Sequence, residues 1–298
     1  MQKYIDILSD SYTGYARYLY EAITSPSWNN YFYWLIGLSL FIFLFEAIRP
    51  WKKEQKPIKR DFWLDVFYMF FNFFLFSLVA YNALSNVVVE AFNDFLRSVF
   101  GIENMIAVAL DTLPAWSQLL ILFILRDFIH WNVHRLLHRV PFLWEFHKVH
   151  HSAKELGFAT HLRFHWMENI VYRTIEYIPL AMIGFGLKDF FLVHIIALSI
   201  GHLAHSNIDI SFGPLGYIFN NPRFHWWHHA KALPDKHRYG VNYGLSLTIW
   251  DYLFKTAHHP TSAANIELGY PGEEDMPESF WKQAVFPLSR KEKKEEQG

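Results

Sequence analysis

Twenty-four consecutive residues, Val66–Val89, carry no charged side chain. A run that long and that apolar has two homes. One is a buried core helix. The other is a bilayer, which ~20 apolar residues cross as a helix. Tyr31–Ile48, "YFYWLIGLSLFIFLFEAI", is a second such run, its one charge being Glu46 near the end. The chain is 52 % hydrophobic and 19 % aromatic, richer in Phe and Trp than soluble domains usually are. Both runs are therefore expected to be membrane helices. Pro114–Leu125 is apolar for 12 residues before Arg126 and crosses only if its helix starts near Ile106 and tolerates Asp111. Tyr177–Leu187 and Phe190–His205 are split by Lys188-Asp189. Each half is too short to span, so about 177–205 is expected to be a helical hairpin dipping into the membrane.

Loop charges set the orientation. Arg49–Arg60, "RPWKKEQKPIKR", has six Lys/Arg and one acid, whereas Ser85–Thr112 has four acids and one Arg. Positive loops stay inside, so the first loop is read as cytoplasmic, the second as external. The chain then returns to the cytoplasm near Arg126. The opening "MQKYIDILSDSYTGYARYLYEAITS" lacks the basic, apolar, small-residue order of a cleaved signal peptide.

Beyond Arg126 the composition changes. The chain has 17 histidines; none precedes residue 130 and 14 lie between 130 and 229. In "DFIHWNVHRLLH", His134 and His138 are one helical turn apart. "HKVHH" (His147, His150, His151) and "HWWHH" (His225, His228, His229) repeat the offsets 0, 3, 4. On helices these spacings put the imidazoles of each box on one face. Eight buried neutral imidazoles without partners would be costly. Metal binding removes that cost, and because one tetrahedral ion takes about four ligands, the set suggests two ions. In "GHLAHSNID", His202 and His205 are further candidate ligands. His130, a turn before His134, is read as ligand or supporting residue. His161 and His165, beside Arg163 and Glu168, suggest a hydrogen-bonding network around the site, with His165 counted among its supports. Asp127, Asn242 and Asp251 are candidates to orient the rings through their second N–H. His194, His258 and His259 are read as ordinary surface or core histidines, and His237 has no assigned role.

The charge balance excludes some classes. A net charge of −1 argues against nucleic-acid binding, and the absence of Cys removes disulfides, thiolate ligands and Cys nucleophiles. Imidazole suits Fe, Zn, Cu and Ni. Iron can activate O2 toward an unactivated C–H bond, whereas zinc activates only water. A site under apolar helices that hold a lipid tail favours iron.

"DFIHWNVHRLLH", "WEFHKVHHS", "HSNI", "PRFHWWHH" and "NYGLSLTIWDYLFKT", in this order and spacing, resemble the fatty acid hydroxylase/sterol desaturase superfamily over roughly Asp127–Thr256. The resemblance implies an integral-membrane di-iron enzyme that uses O2 and two electrons to hydroxylate, desaturate or demethylate a lipid. It implies as ligands His134, His138, His147, His150, His151, His205, His225, His228 and His229. "LFKT" departs from the family's usual Gly before the Thr, at a turn and not at a ligand. Sterols, sphingolipids, fatty acyl chains, carotenoids and glyceryl ethers all remain open as substrates. With no Rossmann glycine pattern, no CxxCH and no Cys, the electrons must come from an external donor. The resemblance implies cytochrome b5, ferredoxin or a pterin.

The expected fold is thus all-α: an integral-membrane helical bundle with a histidine-rich helical metal-binding cap on its cytoplasmic face. Residues 1–125 form the N-terminal membrane helices, 126–260 the catalytic histidine-box region with its hairpin, and 261–298 a C-terminal segment and polar tail. "ESFWKQAVF" in that segment suits either a surface-lying amphipathic helix or a capping helix. The expected host is a bacterial inner membrane or the endoplasmic reticulum, with two Fe ions as cofactors, for which Zn can substitute during expression. Two other classes compete. A membrane zinc-dependent hydrolase would want HExxH or a Glu inside a histidine box, and neither is present. A non-enzymatic metal-binding or transport protein would want polar residues inside full-length spans.

Overall fold

The computed structural model describes residues 2–78, 82–103, 106, 110, 112–183 and 187–289. Among these residues every extended element is helical, apart from two isolated antiparallel bridges, Phe219–Leu247 and Ala230–Leu268. The long helices are α1 (Gln2–Thr24), α2 (Tyr31–Ile48), α3 (Phe62–Phe70), α4 (Asn82–Phe100), α5 (Ala115–Arg139), α6 (Pro141–His151), α7 (Trp166–Ala181) and α8 (Leu187–His205). Three short ones follow: α9 (Pro222–His225), α10 (Ile249–Leu253) and α11 (Phe280–Ser289). α1 packs on α4, α2 on α8, and α5 on α6, α7 and α8.

α2 is the one described helix long and apolar enough to cross a membrane. Its N-terminus is capped by the Asn30 side chain, which accepts from Phe32 N. It buries Leu35, Ser39, Ile42 and Glu46 but leaves Leu40, Phe41, Leu44 and Ile48 exposed. An apolar helix with an apolar outer face suits lipid better than water.

Among its described residues the uncharged run is not one regular α-helix. α3 passes into a π-helical turn at Phe71–Leu75, and α4 begins at Asn82; residues 79–81 of the run lie outside the described residues. Asn72 sits in the π turn and is buried. Its amide donates to Leu162 O at 3.2 Å and Phe164 O at 2.9 Å, and its oxygen accepts from Asn169 Nδ2 at 3.0 Å. An uncharged amide thus pins the apolar segment to the chain that leads into α7.

α5 begins at Ala115, after Pro114, and Ile106 is not helical. The third apolar segment therefore contributes only the first half of a 25-residue helix whose second half carries the first histidine box. Pro fits at a helix start because its missing N–H would be unpaired there anyway; α6 likewise starts on Pro141. The expected hairpin corresponds to the end of α7 and to α8, with 184–186 outside the described residues.

The basic loop after α2 is tied down by buried polar contacts. Glu46 binds Lys59 Nζ at 2.8 Å and accepts from Phe158 N at 3.1 Å and Asn207 N at 2.6 Å. Asn207 in turn bonds Lys52 through both main-chain groups of that residue. This clamp holds the basic loop against the end of α8, where His205 sits.

Candidate metal centre

Nine histidines converge in two groups. His134, His138, His147, His151 and His228 form one, and His150, His205, His225 and His229 form the other. Within each group the candidate ligand nitrogens all lie within 4.8 Å of one another. All but the half-buried His138 are buried. α5 supplies His134 and His138, α6 supplies His147, His150 and His151, and α8 supplies His205. His225 ends α9, and a 3₁₀ turn, Trp226–His229, carries the last two. The Asn221 side chain caps α9 by accepting from Phe224 N at 3.2 Å. The offsets 0, 3, 4 on α6 split between the groups: His147 and His151 go to the first, His150 to the second.

Most rings are held by Nδ1. His134 Nδ1 donates to Tyr243 O at 2.8 Å, His150 Nδ1 to Arg163 O at 3.1 Å, His205 Nδ1 to Gly201 O at 2.8 Å and His228 Nδ1 to Val241 O at 2.8 Å. His147 Nδ1 lies 2.8 Å from Glu168 Oε2. A carbonyl can only accept, so the ring proton of those four histidines sits on Nδ1 and Nε2 is a lone pair. Those Nε2 atoms point at one another. His150 and His205 are 3.2 Å apart at Nε2, His205 and His225 are 3.0 Å apart, and His134 and His147 are 3.1 Å apart. His138, His151, His228 and His229 have buried Nε2 atoms without any hydrogen-bond partner. Between His150 and His205 lone pair faces lone pair, which is repulsive, and a buried nitrogen without a partner is costly. A cation at the centre of each group turns both costs into ligand bonds, so the residues fit a two-metal centre.

Burial drives the imidazoles toward their neutral, metal-binding form. It holds His134 down at about 4, and it pushes His138, His147, His150, His151, His225, His228 and His229 well below the usual range, with neighbouring imidazoles adding to the effect. Burial has the opposite effect on Glu168, whose carboxyl rises to about 8.

The remaining sequence candidates lie around these groups rather than in them. His202 is outside both: its Nε2 is 3.2 Å from Ser39 Oγ and its Nδ1 3.1 Å from His161 Nδ1. His130 bonds Glu176 at 2.9 Å, and Glu176 also binds Arg126. His165 touches neither group. Its Nδ1 accepts from Met167 N at 3.1 Å, capping α7, and its Nε2 donates to Ala284 O at 2.8 Å in α11. Asp127 accepts from Ser246 N, Leu247 N and Trp250 Nε1; Asp251 accepts from Tyr243 N at 2.9 Å and Gly244 N at 2.7 Å. Asn242, at φ 54°, bonds Phe224 O and the main chain of His258. None of these three side chains reaches a histidine of either group. Together they fix the 241–247 loop, whose Val241 and Tyr243 carbonyls aim His228 and His134. In the same loop region, Gly240 has φ 114°, and a Cβ there would stand 3.0 Å from His138 Nδ1. That close approach favours Gly.

Two supports went unassigned in the sequence: Glu168 against His147, and Asn220, whose amide lies 3.3 Å from His225 Nδ1. The sequence placed Glu168 beside His161 and His165 in a network around the site; its direction from the first turn of α7 toward α6 has no sequence signature. Carboxylates that hold a ligating imidazole are worth about 10–100-fold in metal affinity. Glu168→Gln keeps the shape and is expected to speed metal loss to a chelator by that factor while the protein stays folded; an unchanged rate would show that the contact does not hold the ring.

The geometry defines a class: helical proteins with paired, buried histidine groups suited to two metal ions. The comparisons give the family. The fatty acid hydroxylase family model matches residues 119–256. Ornithine lipid hydroxylase OlsE of Rhizobium tropici is 30 % identical, covering 97 % of this chain and 84 % of that protein. Alkylglycerol monooxygenase of Caenorhabditis elegans is 31 % identical over 47 % of this chain and 27 % of its own. A very-long-chain aldehyde decarbonylase of Oryza sativa, GL1-10, is 27 % identical over 47 % of this chain and 46 % of its own. No solved structure matches. The chain belongs to the fatty acid hydroxylase family.

Proposed function

We propose that this protein is a membrane-embedded lipid hydroxylase, an oxidoreductase whose two histidine groups hold two iron ions. The observation that carries the reading is the facing of the buried Nε2 lone pairs of His150 and His205 at 3.2 Å, with both opposite nitrogens committed to carbonyls. Iron on such ligands supplies the redox chemistry that lets O2 oxidise a lipid C–H bond, using two electrons from an external donor. The ligands are His134, His138, His147, His151 and His228 for one ion and His150, His205, His225 and His229 for the other. Glu168 and the 241–247 loop hold the rings in place. The buried apolar side chains Leu162, Phe158 and Ile208 pack close to α8 and help keep water from the centre.

The outward apolar faces support the membrane placement. Phe41, Trp63, Leu84, Val88, Trp116 and Leu120 are all exposed, on α2, α3, α4 and α5. They suit a multi-pass chain in lipid, with the histidine groups at the cytoplasmic face. Residues 1–125 supply the membrane helices, 126–260 the catalytic part, and 261–298 a segment that α11 docks onto α6. Ornithine lipid hydroxylase and alkylglycerol monooxygenase both carry lipid oxidation in their names, which favours hydroxylation of a lipid over hydrolysis. The test pairs metal analysis with product analysis. Detergent-purified protein is expected to hold about two metal ions per chain, iron when expressed with iron supplied. Reconstituted with lipid extract, O2 and a reductant, it is expected to add one oxygen atom to a lipid. Metal-free protein, or lipids left unchanged by the iron-loaded form, would sink the reading.

A further inference from the structure

Two guanidinium groups stack on one exposed tyrosine next to the first histidine group, and a third lies one helical turn from one of them. Arg238 stacks on Tyr239 with its guanidinium carbon 4.5 Å from the ring centre, and Arg139 does so at 5.9 Å. Arg135, one turn before Arg139 on α5, lies over Trp131 at 4.9 Å. None of the three pairs with a carboxylate among the described residues, and Arg135 Nε has no hydrogen-bond partner. Burial, and then the like charge of Arg139, lowers the Arg135 pKa. Lys236, two residues before Arg238, lines a nearby pocket together with Lys255. A chain whose net charge is −1 thus concentrates unpaired positive charge at one place.

That place is the short way in. Tyr239 is 43 % exposed, and its carbonyl accepts from Tyr243 OH at 2.9 Å. The Tyr243 ring is 5.2 Å from His138, 5.8 Å from His134 and 5.9 Å from His228. Surface and histidines are separated by one side chain. Arg135 is ten residues past Leu125, about 15 Å farther along α5 than the end of its apolar half; with that half in lipid, as proposed above, the patch lies beyond the ~6 Å of a headgroup layer.

We propose that Arg135, Arg139 and Arg238 form the docking surface for an acidic, one-electron redox protein, and that Tyr239 and Tyr243 mark where its electrons enter. The inference rests on the oxygenase reading above. Hydroxylating one C–H bond consumes O2, two electrons and two protons and yields the alcohol and one water. Two encounters, each oxidising one reduced donor, supply the electrons. An acidic donor gains from unpaired guanidinium groups in encounter rate and orientation.

The test uses the full-length chain in detergent, metal-loaded and metal-free, with two acidic probes: the soluble domain of cytochrome b5 and a [2Fe–2S] ferredoxin. At least one is expected to bind both forms, with affinity falling as salt rises. In Arg139→Glu/Arg238→Glu, at exposed positions, binding is expected to weaken by about tenfold or more while metal content per chain stays that of the parent. Binding of the probe unchanged in the variant overturns the proposal, as does the absence of salt-sensitive binding by either probe. A variant that instead loses binding to anionic phosphatidylglycerol vesicles, with probe binding intact, also overturns it and makes the patch a membrane contact. Because the binding arm needs neither iron nor turnover, its failure is distinguishable from failure of the oxygenase reading.

Discussion

Replacing His150 with Ala is expected to abolish lipid oxidation and to cut bound metal from about two ions to about one per chain. His150 belongs to the group of four, so its loss leaves His205, His225 and His229, too few for a closed site. The group of five retains all its members. The electrostatic contribution of a metal centre to an oxidation is several kcal/mol, so a fall of at least about a thousandfold is expected. His202→Ala is the control. His202 stands one turn from His205 on α8, but its nitrogens face Ser39 and His161. That variant is expected to keep both ions. Metal content by mass spectrometry and oxidised lipid by chromatography check both variants. Two ions retained in His150→Ala, or one lost in His202→Ala, would show that the two groups are drawn wrongly.

The contrast between those two histidines shows how far the sequence reached. Helical spacing correctly placed the first two boxes on α5 and α6, because a periodicity of three and four survives into the fold unchanged. It could not say that His147 and His151 face one group and His150 the other, since that depends on where α8 and α9 come in. Spacing alone could not separate His202 from His205, which lie on one face of α8 and are equally buried; only the family resemblance singled out His205, and the His202 ring turns toward Ser39 and His161. The orienting groups were harder still. Four rings are aimed by backbone carbonyls, which have no sequence signature. Asp127 and Asp251 were expected to touch the rings and instead hold the loop that carries two of those carbonyls. In the N-terminal part, a charge-free run reads as one helix. The Asn72 amide, uncharged yet demanding partners, marks a π turn within it.

Arg163→Met is expected to destabilise the protein by about 3–5 kcal/mol, the cost of removing one partner from a buried ion pair. Arg163 is 2 % exposed. Its Nη1 binds Asp61 at 2.8 Å and Asp65 at 3.1 Å, and its Nη2 donates to Ser152 Oγ at 3.0 Å. Asp65 lies on α3 and also accepts from Thr160 Oγ1 at 2.8 Å. The carbonyl of Arg163 receives His150 Nδ1. One arginine therefore joins α3, at the start of the apolar run, to a ring of the metal centre. Removing its side chain strands two carboxylates, one of them buried, and frees the backbone that aims His150. The stability loss corresponds to a fall of roughly 10 °C in the unfolding midpoint in detergent. The loosened carbonyl predicts a second effect, metal release to a chelator about 10–100-fold faster than in the parent. Adding Asp61→Asn and Asp65→Asn removes the stranded charges and is expected to recover most of the stability. If metal release recovers with it, the arginine acts through stability alone. If release stays fast in the restabilised protein, Arg163 positions His150, and the N-terminal helices are part of the metal centre's support.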